Sequence, residues 1–240
     1  MIASGYQLMV QSKADKRPSL ENLWPNVFPP DTPKHSSLTE ITGEENEALL
    51  LNVIARTILP KQYGGKSSQV ILFDLNHKMD EIDKYLLNAM SLNEHFSQED
   101  RNFTDEIVKE CLNSIIYISC YSAEQFDLAI EELEDLLWDN ENVSLLAIDG
   151  LDAFYWDDCY DRLRRMITHY RKLCQRLQKI CKEHKICCIY TVETNYVQAK
   201  TDSKGKVSNV FNSFVDYKLK LCRKDDRLYL NDKMFAFDMK

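Results

Sequence analysis

The residues with the clearest chemical potential lie at the end of one apolar run. Leu145-Leu146-Ala147-Ile148 leads straight into Asp149. A carboxylate ending a buried strand is where α/β proteins that bind phosphorylated ligands place the group that reaches magnesium. Asp149 equally suits a simpler part, capping the loop that follows. The magnesium reading needs a phosphate cradle, G-x-x-x-x-G-K-[ST] between a strand and a helix, whose N–H groups and lysine hold the phosphates. Its place follows the segment Leu38–Thr42. What stands there is Gly43-Glu44-Glu45-Asn46-Glu47-Ala48. The first glycine is present, but the second glycine, the lysine and the hydroxyl residue are absent, and the gap is short. Carboxylates occupy the space that phosphate charge would enter, so the segment repels a triphosphate. Gly65-Lys66-Ser67 spells the end of the same motif. Pro60, however, holds the place of its first glycine, and the segment leads into a strand, so it reads as a turn.

Other constellations carry less. Cys181-x-x-His184-x-x-Cys187-Cys188 has metal-like spacing. Cys187 and Cys188 fall in an apolar strand, where cysteine behaves as a small hydrophobe, and no metal site is expected. His77 and His169 have no nucleophile partner in the pattern, and no catalytic residue is assigned. Charge is segregated. Residues 124–141 carry Glu124, Asp127, Glu131, Glu132, Glu134, Asp135, Asp139 and Glu141 with no Lys or Arg. Residues 161–185 are basic, with Arg162, Arg164, Arg165, Arg171, Lys172 and Arg176 at their start. That stretch is either a stripe facing nucleic-acid phosphates or a solvated helix face balanced by its acidic neighbour.

The elements that position these residues follow from periodicity. Apolar strands are expected at 38–42, 69–75, 114–120, 144–149 and 186–192, and helices at 46–59, 79–92, 123–138 and 160–183. Pro60 stops the first of these helices. Residues 93–106 are polar and read as a loop. Strand and helix alternate, which is the pattern of a doubly wound, mostly parallel sheet covered on both faces. Segments 216–222, 227–230 and 234–237 are short strands with tight turns, an antiparallel C-terminal edge. Residues 1–36, with Pro18, Pro25, Pro29, Pro30 and Pro33, read as an N-terminal tail or linker before a core at 37–240. Leu20, Leu23, Trp24, Val27 and Phe28 are expected to be buried anchors within it.

Composition bounds the rest. The 240 residues carry a formal net charge of −8, with 30 Lys+Arg against 38 Asp+Glu. A chain of this length buries about 70–75% of its unfolded surface, enough for one large core. With 44% hydrophobic and 10% aromatic residues, bulk disorder is excluded. Apolar runs reach only about five residues, too few to span a membrane, and the N-terminus lacks the apolar stretch of a signal peptide. Eight cysteines suit a secreted disulfide framework only in a far shorter chain, so reduced thiols are expected. The acidity argues against coating nucleic acid with the whole surface.

Several stretches resemble the ATPase core of eukaryotic RecA-type recombinases, and in particular their paralogue subunits. They are Ser19–Phe28 (SLENLWPNVF), Ala55–Lys61 (ARTILPK), Val70–Asp74 (VILFD), Leu146–Trp156 (LAIDGLDAFYW) and Met234–Asp238 (MFAFD). The likeness covers nearly the whole chain and is thin at 93–113 and 200–213. It implies a RecA-like fold in which Asp149 matches the magnesium-site aspartate and Gly43 the start of the phosphate loop. The family's water-activating glutamate falls, two residues after Asp74, on Asn76, and an amide cannot act as that base. The chain is therefore expected to bind no cofactor and to be no enzyme.

The resemblance further implies assembly, because these proteins stack when a linker motif of one subunit docks in an apolar pocket beside its neighbour's sheet. By position that pocket uses Ile116 and Ile118 on a strand with Ala129, Leu133 and Leu136 on the next helix; the alternative is that this face packs on the chain's own sheet. Single-stranded DNA would be met by the loop 198–212, with Lys200, Lys204 and Lys206, alongside Arg162, Arg164 and Arg165. Taken together, these features imply a nuclear, non-catalytic subunit of a recombinase-paralogue complex. Its partner would be an ATP-competent RecA-type paralogue, and its role homologous-recombination repair of double-strand breaks. A divergent DNA-stimulated ATPase, or a single-stranded-DNA-binding module, stands as the alternative.

Overall fold

The computed structural model describes residues 5–79, 81–92, 101–155, 166–193 and 214–237. In chain order these form α1 (Gly5–Ala14), β1 (Leu38–Gly43), α2 (Asn46–Ile58), a short 3₁₀ turn (Lys61–Tyr63), β2 (Gln69–Asp74), α3 (Ile82–Ser91), α4 (Arg101–Leu112) and β3 (Ile115–Ser119). There follow α5 (Ala123–Asp139), β4 (Val143–Asp149), α6 (Met166–His184), β5 (Cys187–Val192), β6 (Tyr217–Lys224), β7 (Arg227–Leu230) and β8 (Lys233–Phe235).

One eight-stranded sheet runs in the order β3-β2-β4-β5-β1-β6-β7-β8. The strands from β3 through β6 are parallel, and β6-β7-β8 form the antiparallel edge. This is the α/β, RecA-like architecture expected. Every residue of β4 and β5 is buried, because helices cover both faces, and such strands read as unbroken apolar runs. One face packs α2, α3 and the segment Leu20–Phe28 over Val70, Leu72, Leu145 and Ala147. The other packs α5 and α6 over Ile71, Phe73, Leu146 and Ile148.

Local rules set the element ends. Leu59, before Pro60, leaves the helical region (φ −59°, ψ 138°) and closes α2. The Ser122 hydroxyl accepts from Gln125 N and caps α5. Gly65-Lys66-Ser67 forms the turn into β2, with Ser67 N donating to Leu59 O at 2.9 Å and Lys66 Nζ donating to Glu21 O at 2.7 Å.

Two elements depart from expectation. α4 occupies part of the stretch read as a loop. Its Ile107 and Cys111 are buried four residues apart, with Val108 packed beside them, a narrow apolar stripe. Before residue 37 there is a helix, α1, that the proline-based reading did not include. The chain beyond it is anchored as expected, with Leu20, Leu23, Trp24, Val27 and Phe28 all buried. The buried guanidinium of Arg17 donates to Leu137 O and Asn140 O (2.9 Å) at the end of α5 and to Val143 O (2.7 Å) at the start of β4, so it satisfies free carbonyls at the helix terminus and ties it to the sheet.

Candidate functional site

A cleft of ≈ 500 Å³ opens at the carboxyl ends of the central strands, lined by Gly43, Glu44, Glu47, Asn76, Lys78, Gly150, Asp152, Thr191, Glu193 and Lys220 among others. This is where ligands meet open parallel sheets. Gly43 and Asp149, paired by sequence reasoning, lie at this same end of the sheet. Gly43 has φ +102°, and a Cβ there would overlap the Leu221 carbonyl. The position is fixed by the close approach of β6.

The connection from β1 to α2 is two residues long, Glu44 and Glu45. The phosphate motif spans eight residues from its first glycine to its hydroxyl. Glu45 itself is left-handed (φ 60°) and begins α2 without a side-chain cap. Both glutamates face Arg223 of β6, with Arg223 Nε 3.7 Å from Glu44 and the guanidinium paired to Glu45. Glu47 holds Lys78 at 2.7 Å, and that contact raises the lysine's pKa. The helix N-terminus that would receive phosphate is therefore filled with this chain's own ion pairs. Glu44, Glu45 and Glu47 do not fit a nucleotide's phosphates.

Asp149 is fully buried. Its Oδ1 accepts from Thr191 Oγ1 (2.7 Å), and Thr191 Oγ1 accepts from Gly150 N (2.7 Å). Asp149 Oδ2 has no hydrogen-bond partner of good geometry, although the nearby Asn76 amide favours the charged carboxylate somewhat. Burial dominates and pushes the pKa up to about 6, with Glu47 and Asp74 adding to the rise. Asp152 is also raised by burial while accepting from Glu193 N at 3.1 Å. Asp74 accepts from the N–H groups of Lys78 and Met79 and from the Tyr117 hydroxyl at 2.6 Å. Asp74 and Asp149 thus tie together the loops that leave adjacent strands.

The residues expected to bind a partner lie at the far edge of the sheet. β3 is the terminal strand and pairs only with β2. Ile116, Ile118, Ala129 and Leu136 are half-buried and pack on the core between β3 and α5. Leu133 is different: with Phe126, Ile130 and Leu137 it faces the sheet, is 0% exposed, and presents nothing to a partner. Nearby Tyr117, Tyr121 and Leu128 are 49%, 72% and 56% exposed. Tyr121 stacks on His77 with ring centroids 4.3 Å apart.

Arg162, Arg164, Arg165, Lys200, Lys204 and Lys206 lie outside the described residues. Among the described residues no three His, Cys, Asp or Glu side chains converge on a metal position. Cys187 instead donates to Lys34 O at 3.1 Å, and burial raises the pKa of Cys188. No described helix is long and apolar enough to cross a membrane.

Two comparisons with known proteins decide the likeness. The DNA repair protein XRCC2 of Mus musculus is 26% identical over 244 aligned positions, spanning 98% of this chain and 84% of that protein. The chain is XRCC2-like. The DNA repair protein XRCC2 homolog of Arabidopsis thaliana is 24% identical over 219 positions, spanning 72% of this chain and 59% of its own length. No protein-family model matches. Across this XRCC2-like chain, the short β1–α2 connection is visible in sequence as a missing motif. Arg223, 178 positions from Glu45, carries no local signal and could be found only in the fold.

Proposed function

We propose that this XRCC2-like chain acts in DNA repair as a non-catalytic subunit of a recombinase-paralogue complex. It would serve homologous-recombination repair of double-strand breaks in the nucleus and bind an ATP-competent RecA-type paralogue. The names of both relatives support the DNA-repair role. The observation that carries the non-catalytic reading is the two-residue acidic connection at Glu44–Glu45, closed over by Arg223. A cleft of that charge disfavours phosphate, and Asn76 supplies no base. What the fold leaves available is the β3 edge with its apolar rim, which suits addition of a strand from a neighbour.

The test is affinity purification of the tagged full chain from nuclear extract, with co-purifying proteins identified by mass spectrometry. A RecA-type paralogue in stoichiometric amount is the expected result, and recovery of the folded chain alone overturns the reading. The alternative, a DNA-stimulated ATPase, is favoured by the unpartnered Oδ2 of Asp149. Calorimetric titration with magnesium and ATP separates the two. Binding that is abolished by Asp149→Ala supports the ATPase, and absence of binding supports the scaffold.

A further inference from the structure

The C-terminal edge of the sheet, formed by β8, borders a groove that the fold leaves open. β8 pairs only with β7, so its outer N–H and C=O groups are a template for another strand. A cavity of ≈ 640 Å³ runs beside it, lined by Arg223, Arg227, Leu228, Phe235, Ala236 and Phe237 among others. Its apolar floor is held in place. Phe235 is buried, with its ring edge-on to Trp24 at 6.0 Å and to Phe237 at 5.2 Å between centroids. On the other face of β8, Met234 stands exposed opposite Tyr229 in the ladder.

Charge decides what fits there. Residues 217–235 carry Lys218, Lys220, Arg223, Lys224, Arg227 and Lys233 against Asp225, Asp226 and Asp232, a basic edge on a chain of net charge −8. Arg223 is taken up by Glu44 and Glu45, Lys224 by Asp232 and Lys218 by Glu40. Arg227 and Lys233 are exposed and pair with no acid among the described residues. Of the acids that line the groove, Glu45 is held by Arg223, which leaves Asp226 to offset them. Register sets the two cations at opposite ends. Leu228 faces Phe235 and Leu230 faces Lys233, so Arg227 lies beyond Phe235 on one side and Lys233 two residues before it on the other.

A segment added along β8 would seat one apolar side chain on Phe235. Residues two positions to either side share that face and would come near Arg227 and Lys233. Acids gain attraction there, and bases are repelled. A second copy of this chain would bring the same two cations to the same edge. A nucleic acid would use the cations but leave the open backbone and the apolar floor unmatched, whereas strand addition uses both.

We infer that the β8 groove docks an extended acidic peptide segment of a partner protein, in which an apolar residue is flanked two positions away on each side by Asp or Glu. Arg227 and Lys233 select the acids, Phe235 and Phe237 hold the apolar residue, and the β8 backbone supplies the ladder. This goes beyond the scaffold reading, whose partner residues lie at the β3 edge, and does not depend on it.

The test uses the full chain and a fluorescein-labelled peptide, Thr-Glu-Val-Leu-Val-Glu-Thr, whose Val residues fall on the Met234 side. A twin peptide has Lys in place of Glu. Fluorescence anisotropy at 0.1 M salt is expected to show the Glu peptide binding at least about tenfold tighter, with the margin narrowing at 1 M salt. Arg227→Glu with Lys233→Glu should invert the preference, and Arg227→Gln with Lys233→Gln should erase it, with circular dichroism unchanged. Hydrogen exchange locates the site: amides of residues 233–236 should gain protection when the Glu peptide is added. Equal binding of the two peptides, binding of neither, or binding without that protection overturns the inference. Protection of the same amides by single-stranded oligothymidine but not by the peptide assigns the edge to nucleic acid. Protection that grows with the concentration of the chain alone assigns it to a second copy. Either of these results also overturns the inference.

Discussion

Replacing Asp149 by Asn tests whether this carboxylate is a folded-state liability or a working cation ligand. Burial lifts its pKa from the ordinary 3.8 to about 6. A folded-state pKa above the unfolded one means that the protonated form is favoured in the fold. That stabilisation is complete below pH 3.8 and is lost as pH rises through about 6. At 1.36 kcal/mol per pH unit the full span is about 3 kcal/mol, of which about 1.4 kcal/mol falls between pH 5 and pH 8. Asn keeps an oxygen to accept from Thr191 Oγ1. Its amino group takes the place of the unpartnered Oδ2, an offset of about 1–3 kcal/mol that is the same at both pH values. The Asp149→Asn variant should therefore gain on the wild type by about 1.4 kcal/mol as pH rises from 5 to 8, whatever the constant difference. In melting temperature this is roughly 3–6 °C for a chain of this size. Urea unfolding of both proteins at the two pH values measures it. A variant that fails to gain on the wild type as pH rises from 5 to 8 refutes the reasoning and marks Asp149 as a carboxylate already ionised at pH 5 in the fold.

Three further outcomes follow from the packing. Arg17→Met removes the donors to the Leu137, Asn140 and Val143 carbonyls and should cost about 2–4 kcal/mol in urea unfolding; a loss under about 0.5 kcal/mol would show the N-terminal segment to be loosely held. Gly43→Ala forces a Cβ into the Leu221 carbonyl at φ +102° and should destabilise by about 2 kcal/mol or more, seen as a fall in melting temperature with β6 amides losing hydrogen-exchange protection. Leu133→Ala, at 0% exposure, should cost about 2–5 kcal/mol, whereas Leu128→Ser at 56% exposure should stay within about 0.5 kcal/mol, so a partner-binding assay reads only the second cleanly.

The sheet was legible because its strands are buried on both sides. Val70–Phe73 and Leu145–Ile148 are unbroken apolar runs, and the helices between them carry a 3.6-residue period that periodicity detects. α4 shows little periodic signal because its buried stripe is narrow, Ile107 and Cys111 with Val108 beside them, set among Arg101, Asp105, Glu106, Lys109 and Glu110. α1 has no consistent apolar stripe. It is held through contacts far along the chain, such as Lys13 with the Trp138 carbonyl and with Glu141, and a local pattern cannot report those. Ala129, Leu133 and Leu136 share one side of α5, but the fully buried stripe is Phe126, Ile130, Leu133 and Leu137. The two sets share Leu133 and differ by about a sixth of a turn. Spacing gives the period of a helix, and only the packed neighbour gives its phase. The cleft's absent phosphate motif was equally legible, since it is a local pattern. Its replacement by the Arg223 ion pairs was not.

Retention of Asp149 beside a two-residue β1–α2 connection has a physical explanation that needs no nucleotide. Through Thr191, Asp149 joins β4 to β5 and fixes the N–H of Gly150, while Asp74 fixes the turn after β2 through two backbone donors. These bonds shape the sheet's carboxyl end whether or not phosphate ever arrives there. Losing the carboxylate would leave the Thr191 hydroxyl and its neighbours short of partners in a buried site, a cost comparable to a lost hydrogen bond. The shortened connection, by contrast, alters only the surface over Gly43, where Arg223 absorbs the charge of Glu44 and Glu45. The two features are therefore separable, with one held by the fold's own hydrogen bonds and the other free to change. A chain can therefore keep the outline of a nucleotide site and the full sheet while the loop over Gly43 takes another form.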